Sequence, residues 1–383
     1  MPVDPLLSWA RKNQPSLIRL IRELVECESP THSPDAVNRC AALLADSLSG
    51  IADGRMIVTK SGVGRIYTCR FRLPGRQKSG RILALGHSDT VWPLGTIRTM
   101  KFRQRDGRLW GPGVLDMKTG LALFAFAMRA LRELDIPVPH EVHLLVNPDE
   151  ETGSAASRQT TERLAPGCRA VLVLEPGTGV EGKVKTSRKG IGQYRISVSG
   201  IAAHSGVDFE KGSSAVVELA RQISEHIAGF TDLKHGVTVN PGVISGGTRS
   251  NVIAAQAFAE VDIRVPRIRD AAALDKKFRA LRPFDKRCSL QVTGGINRPP
   301  MERSRAIADL FRLARRFAGQ LGVELEESST GGGSDGNFTA ALGVPTLDGV
   351  GAVGEGAHAA HESVLTDRLA DRVALLAKLA AGI

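Results

Sequence analysis

His87 and Asp89 stand two residues apart in Gly86-His87-Ser88-Asp89-Thr90, directly after the apolar run Ile82–Leu85. If that run is a strand and continues, both side chains point the same way, which lets a carboxylate orient a metal-ligating imidazole. Asp116 lies between the glycine-rich Gly111-Pro112-Gly113 and a helical run, where it reads either as a helix N-cap or as a ligand. Asp149-Glu150-Glu151 follow closely on a second apolar run, Val142–Val146. Packing gives no reason for such repulsion at a strand end, whereas a cation or a shared proton relieves it. Glu175 repeats the pattern after Ala170–Leu174, and Gly356-Ala357-His358-Ala359-Ala360-His361-Glu362 offers two histidines in a glycine-rich loop.

Together His87, Asp116, Glu150, Glu151, Glu175 and His358 supply imidazoles and carboxylates from strand ends and loops, and two metal ions can use nearly all of them. Asp116 suits a bridging position, with His87 and Glu175 completing one ion site and Glu151 and His358 the other. Nitrogen and oxygen ligands without thiolate suit Zn2+, with Co2+ or Mn2+ also compatible. Glu150 is then left over as a general base.

These residues need a sheet to present them. Helical spacing runs from Leu6 to about Ser49, and Ser33-Pro34-Asp35 has the form of an N-cap followed by proline at the first helical position. Strand patterns follow at Arg55–Lys60, Arg65–Arg72 and Arg81–Leu85, then a helical run at Lys118–Leu134 and the strands Val142–Val146 and Ala170–Leu174. Strands alternating with helices predict an α/β fold, a mixed and largely parallel central sheet flanked by helices, with ligands at the carboxyl ends of its strands. From about Lys185 the texture changes. Strand patterns at Tyr194–Val198, Gly236–Ile244 and Val252–Arg264 alternate with helical runs at Ser213–Gly229 and Asp270–Leu281, as in a small α+β insert. Residues 1–186 and 297–383 are therefore expected to form one discontinuous domain, closing with a helix near Thr366, and residues 187–296 a second. A chain of 383 residues also exceeds what a single core usually serves.

Composition narrows the class further. With 42% hydrophobic and 24% charged residues the chain reads as globular. No run of about 18 apolar residues occurs, and Met1-Pro2-Val3-Asp4-Pro5 lacks the pattern of a signal segment, so no membrane association and a cytoplasmic location are expected. The net charge of +11 is spread along the chain and aromatics are only 4%, which argues for a solvated basic surface that can steer anionic substrates and against nucleic-acid binding. The five cysteines are scattered without a C-x-x-C pair and read as reduced core residues.

The ordered set G-H-S-D-T, G-x-L-D-M-K, D-E-E-T-G-S, L-E-P and A-H-x-x-x-E, spread over residues 86–362, resembles the di-zinc aminoacylase and carboxypeptidase family. That family includes glutamate carboxypeptidase, acetylornithine deacetylase and succinyl-diaminopimelate desuccinylase. The likeness to glutamate carboxypeptidase-like members runs from Gly331-Gly332-Gly333-Ser334-Asp335-Gly336 to Gly354-Glu355-Gly356-Ala357-His358. The resemblance implies the metal roles above, a catalytic Glu150, and an insert that serves as lid and dimerisation domain of a homodimer. It also implies that His204, in Gly200-Ile201-Ala202-Ala203-His204-Ser205, reaches the partner subunit's active site, and that the segments holding Asn251 and Arg264 hold substrate. Arg188 and Arg249 are further candidates for a substrate carboxylate, because arginine presents a fork matched to its two oxygens. Of the two loop histidines, His358 fits the family spacing, with Glu362 four residues on. The implied activity is hydrolysis of an amide in a small carboxylate-bearing peptide or N-acyl amino acid, with release of a C-terminal residue, glutamate among the candidates. Deacylation of an N-acyl amino acid is the alternative.

Two other classes have weaker signals. Gly349-x-Gly351-x-x-Gly354 matches a dinucleotide fingerprint, and Gly331-Gly332-Gly333 could cradle phosphate, but the first lacks the helix such a motif opens and the second lacks a following G-K-[ST]. Gly332-Gly333-Ser334-Asp335-Gly336 matches a nucleophile elbow, yet a polar run rather than an apolar strand precedes it.

Overall fold

Parallel strands covered on both faces read as continuous apolar runs, and the runs of this chain split their side chains accordingly. The computed structural model describes residues 4–59, 62–76 and 78–383. The sequence patterns at Met1–Val3 and at the Lys60 end of the first strand lie outside the described residues. In strand Arg81–His87, Ile82 and Ala84 join one buried cluster while Leu83 and Leu85 join another on the opposite face. Val142, Leu144 and Val146 part from Leu145 in the same way, and Ala170 and Leu172 part from Val171 and Val173. This is the period-two alternation of an extended chain with both faces covered.

The chain divides into two compact units, Met1–Ser187 with Arg303–Ser329 and Ser334–Ile383, and Arg188–Glu302 with Thr330–Gly333. In the first, a mixed eight-stranded sheet has at its centre four parallel neighbours in the order Glu141–Asn147, Arg81–His87, Cys168–Val173, Thr346–Asp348. Antiparallel strands flank them, among them Arg65–Phe71 and Ala52–Val58 on one side and Val184–Arg188 on the other. The helices Pro5–Glu26, Thr119–Glu133 and Leu369–Gly382 pack on one another over the larger buried cluster. Asp4 caps the first of them by accepting the backbone N–H of Leu6 and Leu7. Ser33 occupies the cap position of Pro34–Leu48, but its hydroxyl makes no capping hydrogen bond. A second, small antiparallel sheet in this unit pairs Gly354–Glu355, Ser363–Leu365, Arg108–Trp110 and Arg103–Arg105.

The second unit is a four-stranded antiparallel sheet, Thr238–Gly246, Gln256–Val265, Gly190–Ser199 and Ser289–Arg298 in that order, with its own core around Tyr194, Val261, Ile263 and Phe278. Helix Ile268–Arg279 contributes Leu274 and Phe278 to it. The helical run expected over Ser213–Gly229 is shorter as an α-helix, Ala215–Arg221. It continues as a π turn at Gln222–His226 and a 3-10 turn at Ile227–Phe230, so its apolar spacing outlasts the α-helical bonding. Thr330–Gly333 joins this unit because Lys189 N donates to Thr330 O at 3.0 Å and Arg188 holds the Gly332 and Gly333 carbonyls. All five cysteines are free thiols. Among the described residues no helix is long and apolar enough to cross a membrane.

Candidate metal centre and active site

Three adjacent parallel strands deliver the first candidates side by side. His87 ends its strand, Glu150 and Glu151 lie in the turn after Glu141–Asn147, and Glu175 lies just beyond Val173. Asp116 is not a helix cap: the helix begins at Thr119 and Lys118 occupies its cap position. The helix start sits tight against the strand end that carries Glu175, because a Cβ on Gly120 would lie 2.0 Å from the Leu174 carbonyl oxygen, and one on Gly351 would do the same. Only glycine allows both segments to approach that closely. The small antiparallel sheet brackets the loop 356–362 and so brings His358 to the same place, with the backbone of His358 at φ +61°.

The Asp116 carboxylate stands between two imidazoles. Its Oδ1 lies 3.1 Å from His87 Nε2 and its Oδ2 3.3 Å from His358 Nε2. Glu175 Oε1 is 3.6 Å from His87 Nε2, and Glu151 Oε2 is 3.2 Å from His358 Nε2. Ligand atoms of His87, Glu150 and Glu175 lie within 4.8 Å of one another, as do those of His87, Asp116 and Glu151. His358, rather than His361, is the loop histidine that reaches the acids. Asp89 backs the cluster: its Oδ1 is 3.3 Å from His87 Nδ1, and its carboxylate accepts the N–H groups of Glu150 and Glu151 and the Thr31 hydroxyl. Asp149 turns to a local task instead, accepting the N–H of Ala156 at 2.7 Å.

Charge in the cluster is held in check by protons. Burial disfavours an imidazolium at His87, yet the hydrogen bonds to Asp116, Asp89 and Glu175 raise its pKa well above the ordinary value. His358 is raised to about 10 by Asp116 and Glu151. Burial opposes ionisation of Asp116, but His358 and His87 hold its carboxyl well below the usual carboxylate range. Burial pushes Glu151 up. Glu151 Oε1 is moreover buried without a hydrogen-bond donor among the described residues. A buried acceptor left without a donor is costly, and cations replacing the two imidazolium protons would satisfy it while leaving the imidazoles as neutral ligands. The donor set thus fits two ions.

Glu362 was visible in the sequence only through its spacing from His358, and the structure gives it a larger part. Its fully buried carboxylate accepts the backbone N–H of Gly113, Leu115 and Asp116 and the Trp92 indole N–H. Asp335 braces the neighbouring acid turn, accepting from the Asn147 amide and the Ser154 hydroxyl. Thr31 and Trp92 carry no local signal that would have marked them.

His204, Asn251 and Arg264 belong to the second unit. His204 and Val252 form a bridge and Ser205 N donates to Asn251 O at 3.1 Å, which brings His204 and Asn251 together on an exposed edge. Arg264 lies apart from them, its guanidinium forked onto Asp262 at 2.9 and 3.0 Å, with Nη1 3.4 Å from the Gly331 carbonyl oxygen. Arg188 is buried and donates to the carbonyls of Gly332 and Gly333, so it supports the glycine loop. Arg249 lines a cavity of about 800 Å³ beside the helix Ala215–Arg221. The weaker readings find no support. Ser334 is fully buried, its hydroxyl bound to Asp348, and Gly354 opens a strand rather than a helix.

Fold and cluster define an α/β metal-dependent hydrolase. Residues 83–382 match the family described as Peptidase family M20/M25/M40, and the chain belongs to it. It is thus a metal-dependent peptidase. Over 360 residues it is 27% identical to carboxypeptidase G2 of Pseudomonas sp. (strain RS-16), a match covering 92% of this chain and 85% of that protein. Its fold is similar to that of the aminopeptidase PepT of Bacillus cereus, with a TM-score of 0.78 at 24% identity over 96% of this chain and 98% of the other. A Bacillus subtilis protein described as a dinuclear metal-binding peptidase superposes with a TM-score of 0.70 at 15% identity, over 97% and 98% of the two chains.

Proposed function

We propose that this chain is a two-zinc amide hydrolase of the carboxypeptidase type, releasing a C-terminal amino acid from a small peptide or N-acyl amino acid. The observation that carries the reading is the Asp116 carboxylate set between His87 and His358, one oxygen to each. Asp116 would bridge the ions, with His87 and Glu175 on one and Glu151 and His358 on the other. Two such ions polarise a scissile carbonyl and lower the pKa of an attacking water towards neutrality. Glu150 takes the proton of that water at its carboxylate and passes it to the leaving nitrogen. Asp89 fixes the tautomer of His87 and, through the N–H groups of Glu150 and Glu151, the position of the base. Elemental analysis of the purified protein is the test. About two zinc ions per chain, with activity lost to a chelator and restored by zinc, is the expected result, and undiminished hydrolysis in a metal-free sample overturns the reading.

The second unit would serve as lid and dimerisation domain of a homodimer, in which His204 supplies a hydrogen bond to the developing oxyanion across the interface and Asn251 and Arg264 hold the substrate carboxylate. Support comes from its outer strand, Thr238–Gly246, which exposes Val243 and Ile244, and from the helix Ala215–Arg221, which exposes Val216 and Val217. An edge strand with exposed apolar side chains is a template for pairing with another chain. Glutamate is the preferred leaving residue in this reading, since the motif likeness is to glutamate carboxypeptidases and the similar Pseudomonas protein is named a carboxypeptidase. Cytoplasmic hydrolysis of soluble substrates completes the proposal.

A further inference from the structure

Beside the cluster, wholly within the first unit, lies a groove of about 450 Å³ with Glu151 in its wall. Its sides are Pro30–Ser33 and Thr90–Leu94, and its apolar surface comes from Pro30, Val91, Pro93 and Leu94. Val91 and Leu94 are 43% and 56% exposed, although the loop that carries them is firmly held. Pro30 and Thr90 form a bridge, and Thr31 N and Thr90 N donate to Thr90 O and Ser29 O. The Glu28 carboxylate accepts the N–H groups of Gly95 and Ile97 at 2.8 and 2.9 Å, and the Trp92 indole is tied to Glu362. The exposed side chains are therefore preorganised at the cost of loop freedom, which is the design of a recognition surface rather than of a loose loop.

The groove is continuous with the metal centre through two residues. Glu151 lines it and approaches His358, and Thr31 in its wall donates to Asp89 at 2.7 Å. Among the described residues no lysine or arginine lines it, and beside the single imidazole of His32 and the acid Glu151 its walls are apolar or neutral, so it offers no guanidinium fork to hold a substrate carboxylate. The carboxylate lies on the leaving-amine side of the scissile bond, and only the acyl side remains for this groove. We infer that the groove between Pro30–Ser33 and Thr90–Leu94 receives the acyl group of the substrate and selects apolar acyl groups, with Val91 and Leu94 as its specificity residues. The inference rests on the amide-hydrolase reading above.

Matched N-acetyl and N-hexanoyl forms of glutamate and of methionine test it by turnover, and acetohydroxamic and hexanohydroxamic acids test it by calorimetry on the zinc-loaded protein. Burial is worth about fourfold per methylene, so two buried methylenes already give a preference above tenfold. The hexanoyl compound of each pair is expected to win by at least that factor in kcat/KM and in affinity. Leu94→Asp should reduce the preference at least about tenfold, and Leu94→Met should keep it. Equal treatment of acetyl and hexanoyl compounds, or a preference that Leu94→Asp leaves unchanged, overturns the groove's role. If neither acyl amino acid is hydrolysed while the hydroxamates are still discriminated, the groove stands and the hydrolase reading falls.

Discussion

Glu362 accepts the backbone N–H of Asp116 at 3.1 Å, so the residue at the centre of the candidate metal cluster is positioned by a carboxylate 246 positions further along the chain. The same side chain takes the N–H groups of Gly113 and Leu115 and the Trp92 indole. Glu362→Gln keeps the volume but turns an amide NH2 towards donors. Partners that orient ligands typically contribute 10- to 100-fold, so zinc affinity should drop by about that factor. Thermal stability should fall with it, since each buried donor left unpaired costs about 1–3 kcal/mol. Chelator competition and a melting curve read both; unchanged zinc affinity would remove Glu362 from the positioning role.

The pH dependence of metal binding follows from the imidazoles. His358 is raised from 6.5 to about 10 in the bare cluster, and His87 is raised as well. A group whose folded pKa lies above its unfolded value stabilises the fold fully below the unfolded pKa and loses that contribution as pH climbs through the folded one. The metal-free protein should therefore melt at progressively lower temperature above about pH 6.5. A zinc ion held by these imidazoles would have to displace the same protons, so its apparent affinity should rise between about pH 6.5 and 8.5. Affinity that stays flat over that window would mean that the imidazoles are not the ligands.

How much of this was legible in the chain depends on how local each interaction is. The strand ends bearing His87, Glu150 and Glu175 announce themselves because parallel strands buried on both faces leave unbroken apolar runs, and acids directly after them stand out. The Asp116–Glu362 and Asp89–Thr31 contacts join residues far apart in sequence, and no periodicity records them. The small sheet that brings in His358 has strands of two or three residues, too short for alternation to register. The Arg264 fork does have a local signature, since Asp262 lies two residues earlier on the same face of the strand. A search for carboxylate-binding arginines passes over it.

Glu150 and His204 supply a paired test of catalysis and assembly. Glu150→Gln should retain its zinc and lose about 10²–10⁴ in kcat, the usual contribution of a general base. His204→Ala should lose about 10²–10³ if its ring stabilises the oxyanion. In a dimer with shared sites, mixing the two inactive variants and allowing subunits to exchange creates a heterodimer with one intact site. Activity should return towards a quarter of the wild-type level, the statistical share when half the subunits pair across and half of those sites are whole. Exchange without recovery, followed by mass spectrometry of differently tagged subunits, would exclude the sharing of His204.

Substrate choice turns on the carboxylate. Arg264 already spends its fork on Asp262, so a substrate carboxylate held there has to join or displace that pair. Displacement would free Asp262, whose own charge then opposes the exchange, so the Asn251 amide has to contribute beside Arg264. The expected pattern is a preference for free C-terminal acids over the matching amides of at least about tenfold in kcat/KM, because the amide forfeits the charge-assisted hydrogen bonds that a carboxylate makes to a guanidinium. Asn251→Ala should erode that preference more than Asp262→Asn does. A panel of N-acyl amino acids and dipeptides, each paired with its C-terminal amide, measures it directly. Equal hydrolysis of acids and amides would sink the carboxylate clamp, whereas a clear acid preference with leucine or alanine ahead of glutamate would sink only the choice of glutamate.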